Sequence, residues 1–398
     1  MAKRGESVTP TTPLAGERIA IVSRIYLPEP AAASFRLAAL ARALDRAGAR
    51  TEVLTVKPPH GLPPSVDQHD KISVTRAPVL RDKNGYVRGY FQYLSFDVPA
   101  FVRVLFGPRR DLLIVEPPPT TGFFMRLAAG LRRTPYVYYA PDIWSDATES
   151  TSAPSFVVRT VRALEKFAMN GAILNLSVSD LLTARMRELG VQAPILTVGN
   201  GVDTGLFNAD GDVHDIQHPY FLYAGTASEF QGAGIFVEAF ARVVADFPDA
   251  RLVFIGQGED RAEIERLATT TPPGSVELHG TLPPAQAAAW IRGAVCTLAS
   301  IKSENYNLGI PTKLFASVAC GTPVIFTGIG PGGDFARQAN LGQATEYNLD
   351  QVVAAMTRAL SSPADVARRS AIATWAANNV SQDAIAERAV TEITARLN

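Results

Sequence analysis

Apolar residues fall along this chain in short uninterrupted blocks separated by stretches of helical spacing. Arg18-Ile-Ala-Ile-Val-Ser23 is the first block and reads as a buried strand. After a loop, Tyr26 to Ser34, the apolar residues Phe35, Leu37, Leu40, Ala41 and Leu44 recur with helical period as far as Gly48, a C-cap glycine. Thr51–Val56 is the next strand, so the opening reads strand, helix, strand, the unit from which parallel sheets are built. The pattern recurs. Strands are expected at 112–115, 136–139, 172–177 and 195–198, and a helix at 123–131 after Pro117, Pro118 and Pro119.

A polar, turn-forming stretch at 208–219 reads as a linker. A second series follows it. Strands are expected at 221–224, 251–255, 276–278, 295–298 and 323–326, helices at 235–247, 284–292, 312–320 and 350–360, and an Ala-rich helical tail at about 364–395. The expectation is therefore an α/β chain with two doubly wound domains: a disordered tail at 1–16, one domain at 17–207, a second at 208–375, and a helix at 376–398 packing back on the first. Ligands of such sheets bind beyond the carboxyl ends of the strands, and two such edges can face each other across a cleft.

Composition sharpens this. The 398 residues are 47% apolar and 19% charged, which excludes wholesale disorder. Net charge is zero, against a dedicated nucleic-acid binder, yet residues 1–200 hold 25 Lys/Arg and 17 Asp/Glu while 201–398 hold 13 and 21. A basic half joined to an acidic half points the first towards an anionic surface or ligand. Two cysteines, Cys296 and Cys320, cannot build a disulfide framework; with no long apolar run and a polar start, a cytosolic protein is expected.

Three segments carry candidate chemistry. Asn200-Gly-Val-Asp-Thr-Gly-Leu-Phe207 is turn-forming and reads equally well as an interdomain turn alone. Gly225-Thr226 ends a strand, and with Gln231-Gly232 it makes a glycine turn ahead of a helix, suited to phosphate oxygens or required by geometry only. In the third, Pro311 and Thr312 begin a helix with Lys313 in its first turn. A cation there opposes the helix dipole, which makes sense if an anion binds at the amides of Gly309 to Thr312; otherwise Lys313 is a solvated surface lysine.

Taken together, these motifs resemble family 4 glycosyltransferases of the GT-B fold, in the branch that decorates bacterial polysaccharide or lipid-linked sugars. The resemblance rests on NGVDTGLF, YAGT with the Gln-Gly turn, LVFIGQGEDRAEIERL, VELHGTLP and IPTKLF…ACGTPVI, and spans residues 18–398. It implies two Rossmann-like domains and transfer of a sugar from a nucleotide diphosphosugar to a glycan or lipid-linked acceptor, with retention, no metal and no cofactor. By position it puts the diphosphate against Gly225, Thr226, Gln231, Lys313 and the amides of Gly309, Ile310, Pro311 and Thr312. Gly256 and Gly258 would line the nucleotide site, with Leu278, His279 and Gly280 near the base and Glu304, Asn307 and Leu308 along the donor loop. Ser34, Arg36, Trp144 and Asn200 would serve the acceptor or diphosphate side, and Asp142 the reacting sugar, unless it caps the short helix after Pro141.

The sequence departs from the family pattern at several of these places. The two glutamates of the donor loop are Leu308 and Ala316, with Glu304 four residues upstream of the first; the flanking Arg and Lys of the glycine turn are Thr226 and Gln231. The first-loop glycines are Ala31 to Ala33, and Pro141 replaces a histidine. Two other readings therefore stand beside transfer: a catalytically silent protein of the same fold that binds a sugar or a partner, and a nucleotide-sugar epimerase. Finally, the aromatic stretches 86–106 and 121–133, flanked by Arg81, Lys83, Arg88, Arg109, Arg110, Arg132 and Arg133, suit either an anionic membrane surface with peripheral attachment or a core helix with a basic rim.

Overall fold

The structure is a computed structural model that describes residues 12–29, 31–59, 72–82, 87, 89–149, 153–214, 217–302 and 309–397. In chain order the first part runs β1 (Arg18–Val22), α1 (Ala32–Arg46), β2 (Arg50–Val56), β3 (Ile72–Ala77), α2 (Tyr90–Phe106), β4 (Leu112–Val115) and α3 (Pro119–Arg132). It continues through β5 (Tyr136–Ala140), α4 (Trp144–Glu149), α5 (Ser155–Gly171), β6 (Leu174–Ser177), α6 (Asp180–Glu188) and β7 (Ile195–Thr197). The second part runs β8 (Tyr220–Ala224), α7 (Gly234–Val243), β9 (Arg251–Ile255), α8 (Arg261–Ala268), β10 (Val276–His279), α9 (Pro284–Gly293) and β11 (Cys296–Ile301). Then come α10 (Thr312–Ala319), β12 (Val324–Gly328), α11 (Gly332–Arg337), β13 (Gly342–Thr345), α12 (Leu349–Ser361), α13 (Val366–Asn379) and α14 (Gln382–Leu397).

Two compact units result. One holds the chain up to Gly199 together with Ile385 onward, and the other is Asn200–Ala384. The described residues of the first make a seven-stranded sheet of order β3-β2-β1-β4-β5-β6-β7; those of the second make a six-stranded sheet of order β10-β9-β8-β11-β12-β13. All pairings are parallel, with Ile19 opposite Leu112 between β1 and β4, and Phe221 opposite Cys296 between β8 and β11. Parallel strands buried on both faces need no polar alternation, which is why β4 (LLIV) and β5 (YVYYA) are buried along their whole length. In both sheets the order of strands reverses at one place, between β1 and β4 and between β8 and β11.

Several boundaries differ from the sequence expectation. Residues 1–11 lie outside the described residues, but Leu14, placed in the tail, is 1% exposed and its amide donates to Ala47 O. The change of unit falls at Gly199–Asn200 rather than in 208–219, because Arg292 donates to Asn208 O and Asp212 O and ties that polar stretch to the second unit. The helical tail is two helices, broken where Ser381 bridges to Val202. Past the break, Ile385, Ala389 and Ile393 of α14 pack among Leu37, Leu44 and Ile114 of the first unit. The helix expected to reach Phe247 ends at Val243.

Candidate functional site

At the β8–β11 reversal, strand ends and helix starts bring most of the second unit's candidate residues together. Gly225 follows β8 with φ +120°, and Gly256 and Gly258 follow β9 with φ +136° and +154°, backbone that an L side chain rarely adopts. A Cβ on Gly256 would strike the Gly225 carbonyl, and one on Gly258 the Ala227 carbonyl, so the two turns lie in direct backbone contact. Gly225, Gly256 and Leu278 line a small cavity with Tyr223, Phe254 and Arg261.

Lys313 enters this corner from α10. The helix begins at Thr312 behind Pro311 with no side-chain cap, which leaves its first amides to an outside acceptor. The half-buried Lys313 donates from Nζ to Thr226 O at 3.1 Å, and its ammonium lies 3.6 Å from the centroid of the Tyr223 ring. Burial lowers its pKa to about 7. Lys313 is thus anchored rather than solvated. Tyr223, which supplies the platform, reads in sequence only as a strand residue.

Other candidates sit differently. Gln231 is buried, and its Oε1 accepts from Tyr223 OH at 3.0 Å and from Ser228 N at 3.1 Å, so this amide oxygen braces the glycine turn from inside. Thr226 and Gly280 are exposed, and Gly309 to Thr312 are exposed or half-buried. His279 is within 3.1 Å of Glu277 Oε2 and 5.2 Å from the Trp290 ring centroid. Asn200 accepts from Gly201 N and closes a local turn. Glu304, Asn307 and Leu308 lie outside the described residues, whereas Ala316 packs partly buried against the Trp290 and Cys320 cluster.

The first unit has its own constellation at the β1–β4 reversal. Arg36, expected on the acceptor or diphosphate side, lies inside α1 and is 7% exposed. Its guanidinium pairs with Glu116 at 2.6 Å and lies over Tyr139, and Ser23 Oγ donates to the other Glu116 oxygen at 2.6 Å. Ser34 is fully buried with no partner for its hydroxyl among the described residues. Glu116 had one sequence signal, a carboxylate directly after an all-apolar strand.

Asp142 is exposed after β5; its surroundings raise its pKa by desolvation, against the pull of Arg36. It does not cap α4. The Trp144 and Ser145 amides donate instead to Glu165, at 2.7 and 3.1 Å. The Trp144 ring meets Tyr93 edge-on, and Arg24 lies over both rings.

Comparisons with known proteins follow the same division. A glycosyl transferase 4-like domain matches residues 32–201, and a glycosyl transferases group 1 domain matches 218–362. No curated protein matches by sequence. Among solved structures, sucrose-phosphate synthase from Thermosynechococcus elongatus superposes with a TM-score of 0.73 at 17% identity, covering 95% of this chain and 98% of that one. Anabaena HepE in complex with UDP-glucose gives 0.68 at 14%, covering 95% and 99%. WaaG, a glycosyltransferase involved in lipopolysaccharide biosynthesis, gives 0.66 at 15%, covering 94% and 99%. These likenesses establish the GT-B fold, with two Rossmann-like domains.

Proposed function

The chain belongs to the glycosyltransferases, and we propose that it moves a sugar from a nucleotide diphosphosugar to a glycan or lipid-linked acceptor, with retention and without a metal ion. One observation carries the reading: Lys313, the Gly225–Thr226 turn and the uncapped start of α10 converge where the strand order of the second sheet reverses. Breaking the sugar–phosphate bond puts negative charge on the departing diphosphate. Lys313 and fixed amide dipoles stabilise that charge as it forms. The departing phosphate takes the acceptor's proton, and Asp142 orients the acceptor hydroxyl or stabilises the oxocarbenium-like sugar. The UDP-glucose held by HepE supports a nucleotide-sugar donor.

The setting we infer is cell-surface polysaccharide synthesis, with the protein peripheral at the cytoplasmic face of a membrane. WaaG's role in lipopolysaccharide biosynthesis supports it, and no helix among the described residues is long and apolar enough to cross a membrane.

A thermal-shift screen against UDP, GDP, dTDP and CMP sugars, followed by product analysis with and without acceptor, tests the proposal. Transfer that persists in EDTA is the expected result. A free epimer formed without acceptor would mean epimerisation. A second reading, a silent sugar-binding or partner subunit, is favoured by Ala316, which leaves α10 without a carboxylate. Binding with neither hydrolysis nor transfer would establish it.

A further inference from the structure

Helix α2 shows water a row of apolar side chains. Phe91 is 79% exposed and Phe106 78%, with Leu94, Val98 and Val102 exposed between them. Steps of three, four, four and four residues keep this row on one face of a helix about 25 Å long. The row is not a core face left bare, because Phe96, Ala100 and Val104 on the other side of α2 already fill the core. Helix α3 packs beside α2 and adds exposed Leu127 and Leu131. Contiguous exposed apolar surface of this kind marks an interaction site.

Its charge says what it meets. Across α2 and α3 there is one acid, Asp97, and it is fully buried, receiving the Thr121 hydroxyl at 2.5 Å. The basic residues collect where the two helices end together: Arg132 at the end of α3 donates to Gly107 O, just past Phe106, and Arg109 and Arg133 stand exposed beside this junction. Among the described residues no carboxylate pairs with Arg109, Arg132 or Arg133.

We propose that the α2–α3 face is the docking surface for an anionic lipid bilayer, a step that deepens and rests on the reading of a lipid-linked acceptor. The apolar row enters the boundary between headgroups and acyl chains while the arginines meet lipid phosphates. A second copy of the chain fits less well, because a two-fold contact through this row buries both arginine groups with no exposed acid on either helix to balance them.

The test is co-sedimentation of the full chain with phosphatidylcholine vesicles, with and without phosphatidylglycerol. Two double variants accompany it: Phe91→Ser with Phe106→Ser, and Arg109→Glu with Arg133→Glu. All four side chains are exposed, so folding should survive; thermal shift with UDP, GDP and dTDP checks this on the same samples. The expected result is pelleting only with phosphatidylglycerol, lost as salt shortens the Debye length to about 3 Å near 1 M, and at least about tenfold weaker in each variant. No pelleting, equal pelleting on both vesicles, or variants that pellet like the parent would overturn the proposal. So would a dimer in sedimentation velocity that the Phe variants dissolve, since the face then belongs to a second copy. Failure of the transferase reading shows up separately, as absent nucleotide binding with pelleting intact.

Discussion

The Lys313 ammonium rests on the face of Tyr223 and gives its hydrogen bond to the Thr226 carbonyl. Held there, it is a cation with its charge half withdrawn, its pKa lowered to about 7 by burial. A bound diphosphate would raise that pKa, so binding takes up a proton wherever the free lysine is neutral. Affinity for a nucleoside diphosphate should therefore be highest below about pH 7 and fall as pH rises towards the ordinary lysine value of about 10.4. Lys313→Ala should weaken binding by about 1–3 kcal/mol at pH 7 and remove this pH dependence. Calorimetry across the range checks both; identical profiles for parent and variant would place the diphosphate elsewhere.

The contact between the two glycine turns makes a second prediction. Gly258→Ala forces a Cβ onto the Ala227 carbonyl at φ +154°, and should cost about 1–3 kcal/mol of stability while weakening nucleotide binding. A Cβ added at Gly280 would meet no atom within 4 Å, so Gly280→Ala should stay within about 0.5 kcal/mol of the parent. Denaturant titration of the pair separates backbone crowding from a general intolerance of alanine.

Glu116 is the only carboxylate paired with Arg36 among the described residues, and both are buried. Glu116→Ala strands the guanidinium and should cost about 3–5 kcal/mol. Adding Arg36→Met should recover most of the loss, since a well-packed apolar pair avoids the desolvation of two charges. A double-mutant cycle in denaturant measures it; additive losses would mean that the pair is not coupled.

Asp97 makes a pH prediction of opposite sense from an ordinary paired acid. Burial raises its pKa to about 6, against the opposing hydrogen bond of Thr121 and the charge of Arg24. The folded chain then holds a proton that the unfolded chain has lost, so stability contributed by this site falls as pH rises from about 4 to 6. Asp97→Asn should flatten that slope and stabilise the protein by about 1–3 kcal/mol at pH 7–8, with little gain at pH 4. Melting curves at pH 4.5 and 8 decide the matter.

The central strands are legible because parallel strands buried on both faces write themselves as apolar runs. Edge strands are not: β3 (ISVTRA) is covered on one side only, and β13 (GQAT) has no apolar run at all. Helix α5 joins two strands that the sequence does announce, and its own residues are strongly amphipathic at helical spacing, so its absence from the expected elements is not for want of a signal. In the site, the glycine turns and Lys313 can be found because local backbone demands fix their residue types. Glu116 and Tyr223 cannot. Glu116 acquires its meaning from Arg36, 80 residues away, and Tyr223 from a lysine on a distant helix. Arg36 misleads for the same reason, since nothing local says that its partner waits inside the unit.

Helix α14 reverses the order in which this chain can mature. The two crossings lie side by side, with Val202 N bonded to Val380 O at 2.9 Å and Gln382 N to Val202 O at 3.0 Å, so Asn200–Ala384 is an insertion within the first unit. At a synthesis rate of about 5–20 residues per second, the nascent first unit waits roughly 10–40 s for Ile385, Ala389 and Ile393 to close its core. The unit translated first is the last to be finished, and until then the α1 side that α14 covers stays open to water.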